Sequence, residues 1–127
     1  MGATAFQKGL GVTHSLAHPL STVCDTHHGL ANAVMITYAM EFNAASVPER
    51  FAPLARACGA GADAASFISW LREIRAAVGI PDKLSEIGVG PGHVDRLVPL
   101  AVADPCHECN PVPVSEDDFR ALYEAAL

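Results

Sequence analysis

What most constrains the fold of this chain is its punctuation: helix-starting and helix-stopping signals recur along it, and the alternating apolar and polar runs that a half-buried strand needs do not. Asp63 is placed to cap a helix whose apolar stripe is Phe67, Ile68, Leu71, Ile74 and Val78, and Gly79 and Pro81 stop it. Ser115-Glu116-Asp117-Asp118 is a capping box with acidic residues in the first turn, where the helix dipole favours them, so a helix is expected from there to the C-terminus. Ser46-Val47-Pro48-Glu49 reads as a second box with proline in the first turn, predicting a helix over 48–58 that Gly59 and Gly61 end. Residues 29–42 are apolar on most faces, which suits a buried helix with Asn43 near its end. Phe6, Leu10, Thr13 and Ala17 fall at helical intervals over residues 2–17, with Pro19 as the stop. A further helix is expected over 93–103, followed by a loop from Pro105 to Pro113. The expected fold class is therefore all-α, a bundle of about six helices forming a single domain over residues 1–127.

Composition supports one self-contained core. A chain of 127 residues buries roughly two-thirds of its unfolded surface on folding, enough for one domain and crowded for two. Half of the residues are apolar and only 17% charged, which excludes a disordered segment. The mean hydropathy of +0.25 is high for a lone domain and points to surface meant for a partner. No run approaches the ~20 apolar residues needed to cross a bilayer, and the first residues lack the basic-then-apolar order of a secretory signal. Phe6 stands where a myristoylation site wants Ser or Thr. With 8 Lys and Arg against 14 Asp and Glu, and no basic stripe, nucleic acid is not an expected partner. Cys24, Cys58, Cys106 and Cys109 read as reduced thiols of a cytoplasmic protein rather than a disulfide framework.

The chemistry-bearing residues are concentrated in one segment. Residues 14–28 hold His14, His18, His27 and His28. His14 and His18 are four apart and project from one helix face, and His28 follows a turn long enough to fold back over them and complete a site with His14. Ser15 follows the first histidine, so this is not the zinc-protease pattern that places a glutamate there. A lone histidine is most simply a packed or surface residue; this many flanking one helix-turn-helix make a metal or substrate site the competing reading. Two imidazoles alone hold a divalent metal poorly, so further ligands are required.

Gly9-Leu10-Gly11-Val12-Thr13-His14-Ser15-Leu16-Ala17-His18-Pro19-Leu20, followed by Asp25-Thr26-His27-His28-Gly29-Leu30-Ala31-Asn32-Ala33, resembles the signature of the iron-containing, metal-dependent group III alcohol dehydrogenases. Asp104-Pro105-Cys106, Asn110-Pro111 and residues 115–127 resemble that family's closing segment, so the resemblance spans the chain. It implies the C-terminal helical domain of a dehydroquinate synthase-like, two-domain oxidoreductase. A divalent metal, usually Fe(II) with Zn(II) also acceptable, would sit in the cleft between this domain and an N-terminal α/β domain that binds NAD(P). By position, His14 and His28 resemble metal ligands, and His18 resembles the catalytic histidine beside the nicotinamide and the substrate. His27 has no ligand role in the pattern. The family's remaining Asp and His ligands have no equivalent here, and the glycines at 88, 90 and 92 open no βαβ unit, so the nucleotide-binding domain is expected to be absent.

The implied partners are a small alcohol or aldehyde, the missing nucleotide-binding half, and a second copy of the chain, since the histidine face and its apolar surroundings favour a homo-oligomer. Cys106-His107-Glu108-Cys109 is half of a zinc-ribbon pattern without its second half, and a structural reading is simpler; His107 is left a minor substrate-side role. Asp104 and Glu108 read as solvated or capping charges, and Trp70 as core. A non-catalytic helical module, binding a metal or a partner surface, is the competing function, and a split enzyme with its nucleotide-binding half on another chain is a third.

Overall fold

The computed structural model describes residues 9–127. Six α-helices and no strand occur among them. They are α1 (Val12–Cys24), α2 (His28–Ser46), α3 (Phe51–Ala57), α4 (Ala64–Ala77), α5 (Val94–Ala103) and α6 (Glu116–Ala126). Short 3-10 turns at Pro48–Arg50, Leu84–Ile87, Pro91–His93 and Pro105–Cys109 join them. None of these helices is long and apolar enough to cross a membrane.

The core is a sandwich of α1, α2, α5 and α6. Val12, Leu16, Ala17 and Leu20 of α1 are fully buried against Val34 and Met35 of α2, Leu97 and Val98 of α5, and Phe119 and Tyr123 of α6. Each large apolar side chain removed from water in this way contributes about 1.5–3 kcal/mol. Leu84, which opens the second 3-10 turn, and Val89, just after it, add to this cluster. As expected of a helix apolar on most faces, α2 lies at the centre and packs against α1, α4 and α6. Helices α3 and α4 contribute nothing to this cluster. They form a smaller lobe around Phe51, Phe67 and Trp70, whose ring centroids lie 5.7 and 5.8 Å apart in succession.

Several local expectations are corrected. Residues 2–8 of the expected first helix lie outside the described residues. Within them that helix begins only at Val12, and it passes through Pro19 to end at Cys24. Proline removes one helical hydrogen bond, and the burial of Pro19 between fully buried Ala17 and Leu20 outweighs that loss. Gly9 is not helical: its φ of 85° is left-handed, and a Cβ there would meet the Cys109 sulfur at 2.4 Å. The expected capping box at Ser46 does not form, because α2 runs on through Ser46 and the chain turns at Pro48–Arg50 before α3. Asn43 does lie near the end of its helix, in the last turn, where its carbonyl accepts from the Val47 N–H. It is buried and exchanges side-chain hydrogen bonds with Asn110, at 3.1 and 2.7 Å.

In α4 the apolar stripe is only partly core. Ile74 is 40% and Val78 68% exposed, while Arg75 is buried. The Arg75 guanidinium donates to Thr37 Oγ1 on α2 and to the Pro81 carbonyl, which fastens the small lobe to the central helix. Trp70 is half-buried against Phe67 rather than central. Other expectations hold in atomic detail. Asp63 accepts from the Ser66 N–H at 2.8 Å, and Ser115 and Asp118 form the reciprocal box at 3.2 and 2.8 Å.

Candidate functional site

The turn between α1 and α2 decides where the histidines go. Asp25 adopts a φ of 53°, and the Thr26 N–H reaches back to the Leu20 carbonyl at 3.4 Å, closing α1 with a Schellman-type reversal. Three residues later α2 starts at His28, laid back against α1. His14 and His18, one turn apart, therefore meet His28. The ring centroids lie 5.7 Å apart for His14 and His18, 5.5 Å for His14 and His28, and 5.2 Å for the stacked His18 and His28. His27 is exposed at the N-terminus of α2 and stands outside the cluster.

The electrostatics suit ligation. Burial, then the neighbouring His18 and His28, push the His14 imidazole below its ordinary range, with Asp104 pulling the other way. The neutral ring, the form that binds a metal, is thereby favoured. A cleft of about 420 Å³ opens beside His14, walled by Leu10, Thr13, Ile36 and Met40. Its lining is almost wholly apolar, fit for the carbon skeleton of a small molecule.

Sequence reasoning missed the role of Asp104. It caps the 3-10 turn as expected, accepting from the Cys106 N–H at 2.8 Å, but it also reaches His18 Nδ1 at 2.6 Å. Ser15 Oγ donates to the same carboxylate at 2.8 Å and accepts from the His107 N–H at 2.9 Å. Burial raises the Asp104 carboxyl, yet the hydrogen bonds from His18, Cys106 and Ser15 outweigh it and hold the group well below the carboxylate range. An acidic residue some 86 positions from its histidine leaves no local signal. The one sequence signal at Asp104 is that Asp104-Pro105-Cys106 resembles the family's closing segment, which carries no pairing with His18.

Among the described residues, donor atoms of His18, Asp104 and Cys106 lie within 4.8 Å of one another. The Cys106 thiol is pushed up to about 11 by burial and by Asp104, which keeps it protonated and a poor ligand as it stands. Cys109 is exposed over Gly9, and all the cysteines are free. His107 lies edge-on to Phe119, with ring centroids 5.3 Å apart, so its ring serves packing.

The family model of the Fe-containing alcohol dehydrogenases, C-terminal part, matches residues 1–127. The chain belongs to that family. Among curated relatives of this Fe-containing alcohol dehydrogenase domain, the 4-hydroxybutyrate dehydrogenase of Cupriavidus necator is 35% identical over 135 aligned positions, covering 99% of this chain and 35% of the relative. The lactaldehyde reductase of Escherichia coli K12 is 33% identical, covering 93% of this chain and 33% of the relative. Among solved structures, a 1,3-propanediol oxidoreductase superposes with a TM-score of 0.88 at 28% identity, covering 93% of this chain and 33% of that one. The maleylacetate reductase of Rhizobium sp. strain MTP-10005 does so at 0.75 and 32% identity, covering 94% and 32%. The chain thus spans about a third of the length of the relatives it matches. Its helical bundle is the fold of the corresponding part of those structures.

Proposed function

We propose that this chain is the metal-site domain of an NAD(P)-dependent alcohol dehydrogenase, interconverting a small alcohol and its aldehyde or ketone once joined to a nucleotide-binding half. The observation that carries the reading is the convergence of His14, His18 and His28 on one face beside an apolar cleft. The residues fit a divalent metal in part: His14 and His28 would supply two imidazole nitrogen donors, and the remaining ligands would come from the nucleotide-binding half. Fe(II) follows from the family, and Zn(II) suits the same donor type. When bound, the metal supplies Lewis acidity at the substrate oxygen, and NAD(P) takes or gives the hydride.

The chain's own contributions are positional. His14 and His28 would hold the metal from two helices fixed by the Asp25 reversal. His18 stands beside them with its side chain 39% exposed, placed to hold or pass a proton at the side of the substrate and nicotinamide. The cleft walls seat the alkyl part and exclude water from it. Solubility in the cytoplasm and self-association through the uncovered histidine face belong to the same proposal.

The test is metal titration and an NAD(P)-linked alcohol assay on the chain alone, repeated after adding a nucleotide-binding half in trans. The chain alone is expected to bind Fe(II) or Zn(II) weakly, to lose that binding in His14→Ala and His28→Ala, and to show no alcohol oxidation until the second half is added. Metal binding unaffected by both substitutions would overturn the ligand assignment. Metal binding without activity in the assembled protein would favour the non-catalytic module.

A further inference from the structure

We infer that Asp104 is the positioning residue for His18, fixing its ring as the Nδ1–H tautomer so that Nε2 is the free, lone-pair nitrogen on the opposite edge. This rests on the reading of His18 as the histidine of the proposed reaction, and it adds a residue whose part the signature does not suggest.

The argument starts from the acceptor. A carboxylate accepts hydrogen bonds and has none to donate, so the 2.6 Å contact between His18 Nδ1 and Asp104 Oδ2 requires the proton on Nδ1. The other carboxylate oxygen is saturated from the protein side, receiving the Cys106 N–H and the Ser15 hydroxyl at 2.8 Å each. Those donors favour the ionised form, in keeping with an Asp104 carboxyl held below the ordinary carboxylate range. Its side chain is 14% exposed, so water competes little for the contact.

The carboxylate is itself held in place. Ser15 is fully buried, lies three residues before His18 on α1, and accepts the His107 N–H at 2.9 Å. Histidine and serine thus rise from one helix and grip a carboxylate at the end of α5, and the 3-10 turn that follows completes the cradle. A surface ion pair would show long, mobile side chains and no such support. The imidazole is left with a fixed plane, stacked on His28 at an interplanar angle of 21°. With Nδ1 occupied, only Nε2 is available to exchange a proton with a substrate. This division of labour between the two ring nitrogens is what a fixed carboxylate partner provides.

The experiment is a long-range nitrogen–proton correlation spectrum of the 15N-histidine-labelled chain at about pH 9, where ordinary histidines are neutral. His18 is assigned by His18→Gln. The expected result is a protonated Nδ1 and a bare Nε2 for His18, against the Nε2–H form at exposed His27. Asp104→Asn, which keeps an oxygen for Ser15 and Cys106, should return His18 to a mixture or to Nε2–H, and Asp104→Glu should restore part of the wild-type pattern. Ser15→Ala should loosen it to a lesser degree. A wild-type His18 found mainly as Nε2–H overturns the inference, as does an Asp104→Asn spectrum unchanged at His18. The wild-type spectrum decides even if a variant fails to fold. None of these readouts involves metal or turnover, so the tautomer assignment and the proposed dehydrogenase role of His18 fail or stand separately.

Discussion

The molecule has two unequal parts, and they differ in how their order is made. The central bundle of α1, α2, α5 and α6 is held by side chains far apart in sequence: Tyr123 on Leu16, Asn110 on Asn43, Asp104 on His18. The lobe of α3 and α4 is held by a small aromatic cluster and by one buried guanidinium reaching α2. The histidine cluster, the cleft and the Asp104 cradle all belong to the first part. A site that must hold three rings within contact distance needs a support with no freedom to relax, and the long-range core supplies it.

The sharpest test of that contrast is stability. Leu16→Ala, in the centre, is expected to cost about 3 kcal/mol, from lost burial plus the cavity left behind. Ile74→Ala, exposed on α4, and Val78→Ala, exposed just past its C-terminus, should stay within about 0.5 kcal/mol of wild type. Urea unfolding midpoints decide it, and comparable losses at the three positions would dissolve the distinction. A cooperative single transition in all variants would show that the lobe unfolds together with the bundle.

The second test uses pH. Asp104 is more acidic in the folded chain than in an unfolded one, so its hydrogen bonds contribute stability that is fully present above about pH 4. That contribution is lost as pH falls below the ordinary carboxylate value and through the depressed folded one. Wild-type stability should therefore fall steeply on acidification, and Asp104→Asn should flatten the curve while lowering its neutral plateau. Parallel curves for the two proteins would argue that other carboxylates account for the acid response.

The smallest effect expected is one of rate. Cys58 is exposed at the end of α3, whereas Cys106 is half-buried and its thiol is pushed up by burial and by Asp104. At pH 8 iodoacetamide should label Cys58 first and Cys106 last, as read by peptide mass spectrometry. Equal labelling would mean that the segment around Asp104 opens as freely as the lobe does.

Legibility in the sequence follows the same division. In the outer lobe the Asp63 cap starts its helix, and the left-handed Gly59 and Gly79 follow helix ends, where their local chemistry says they should. The stripe on α4 was misread because Arg75 found Thr37 and two carbonyls across the gap, a partner set that periodicity does not carry. In the bundle, local rules met stronger long-range packing. Pro19 stays within a helix, Gly9 and Gly11 serve a turn against Cys109 and Asn110, and Asn43 becomes an internal tie. At Pro19 and Asn43 a penalty of a few kcal/mol at most is offset by burial that only the assembled core provides.

By itself the sequence determined that the chain is helical, that its family is that of the Fe-containing alcohol dehydrogenases, and that His14, His18 and His28 flank one helix-turn-helix, because caps, periodicity and a fixed histidine spacing are local facts. Only the tertiary structure decided how those histidines are aimed. The partner of His18 lies on a distant segment, and a hydrogen bond of 2.6 Å between them exists only once α1 and the end of α5 have been packed into one core.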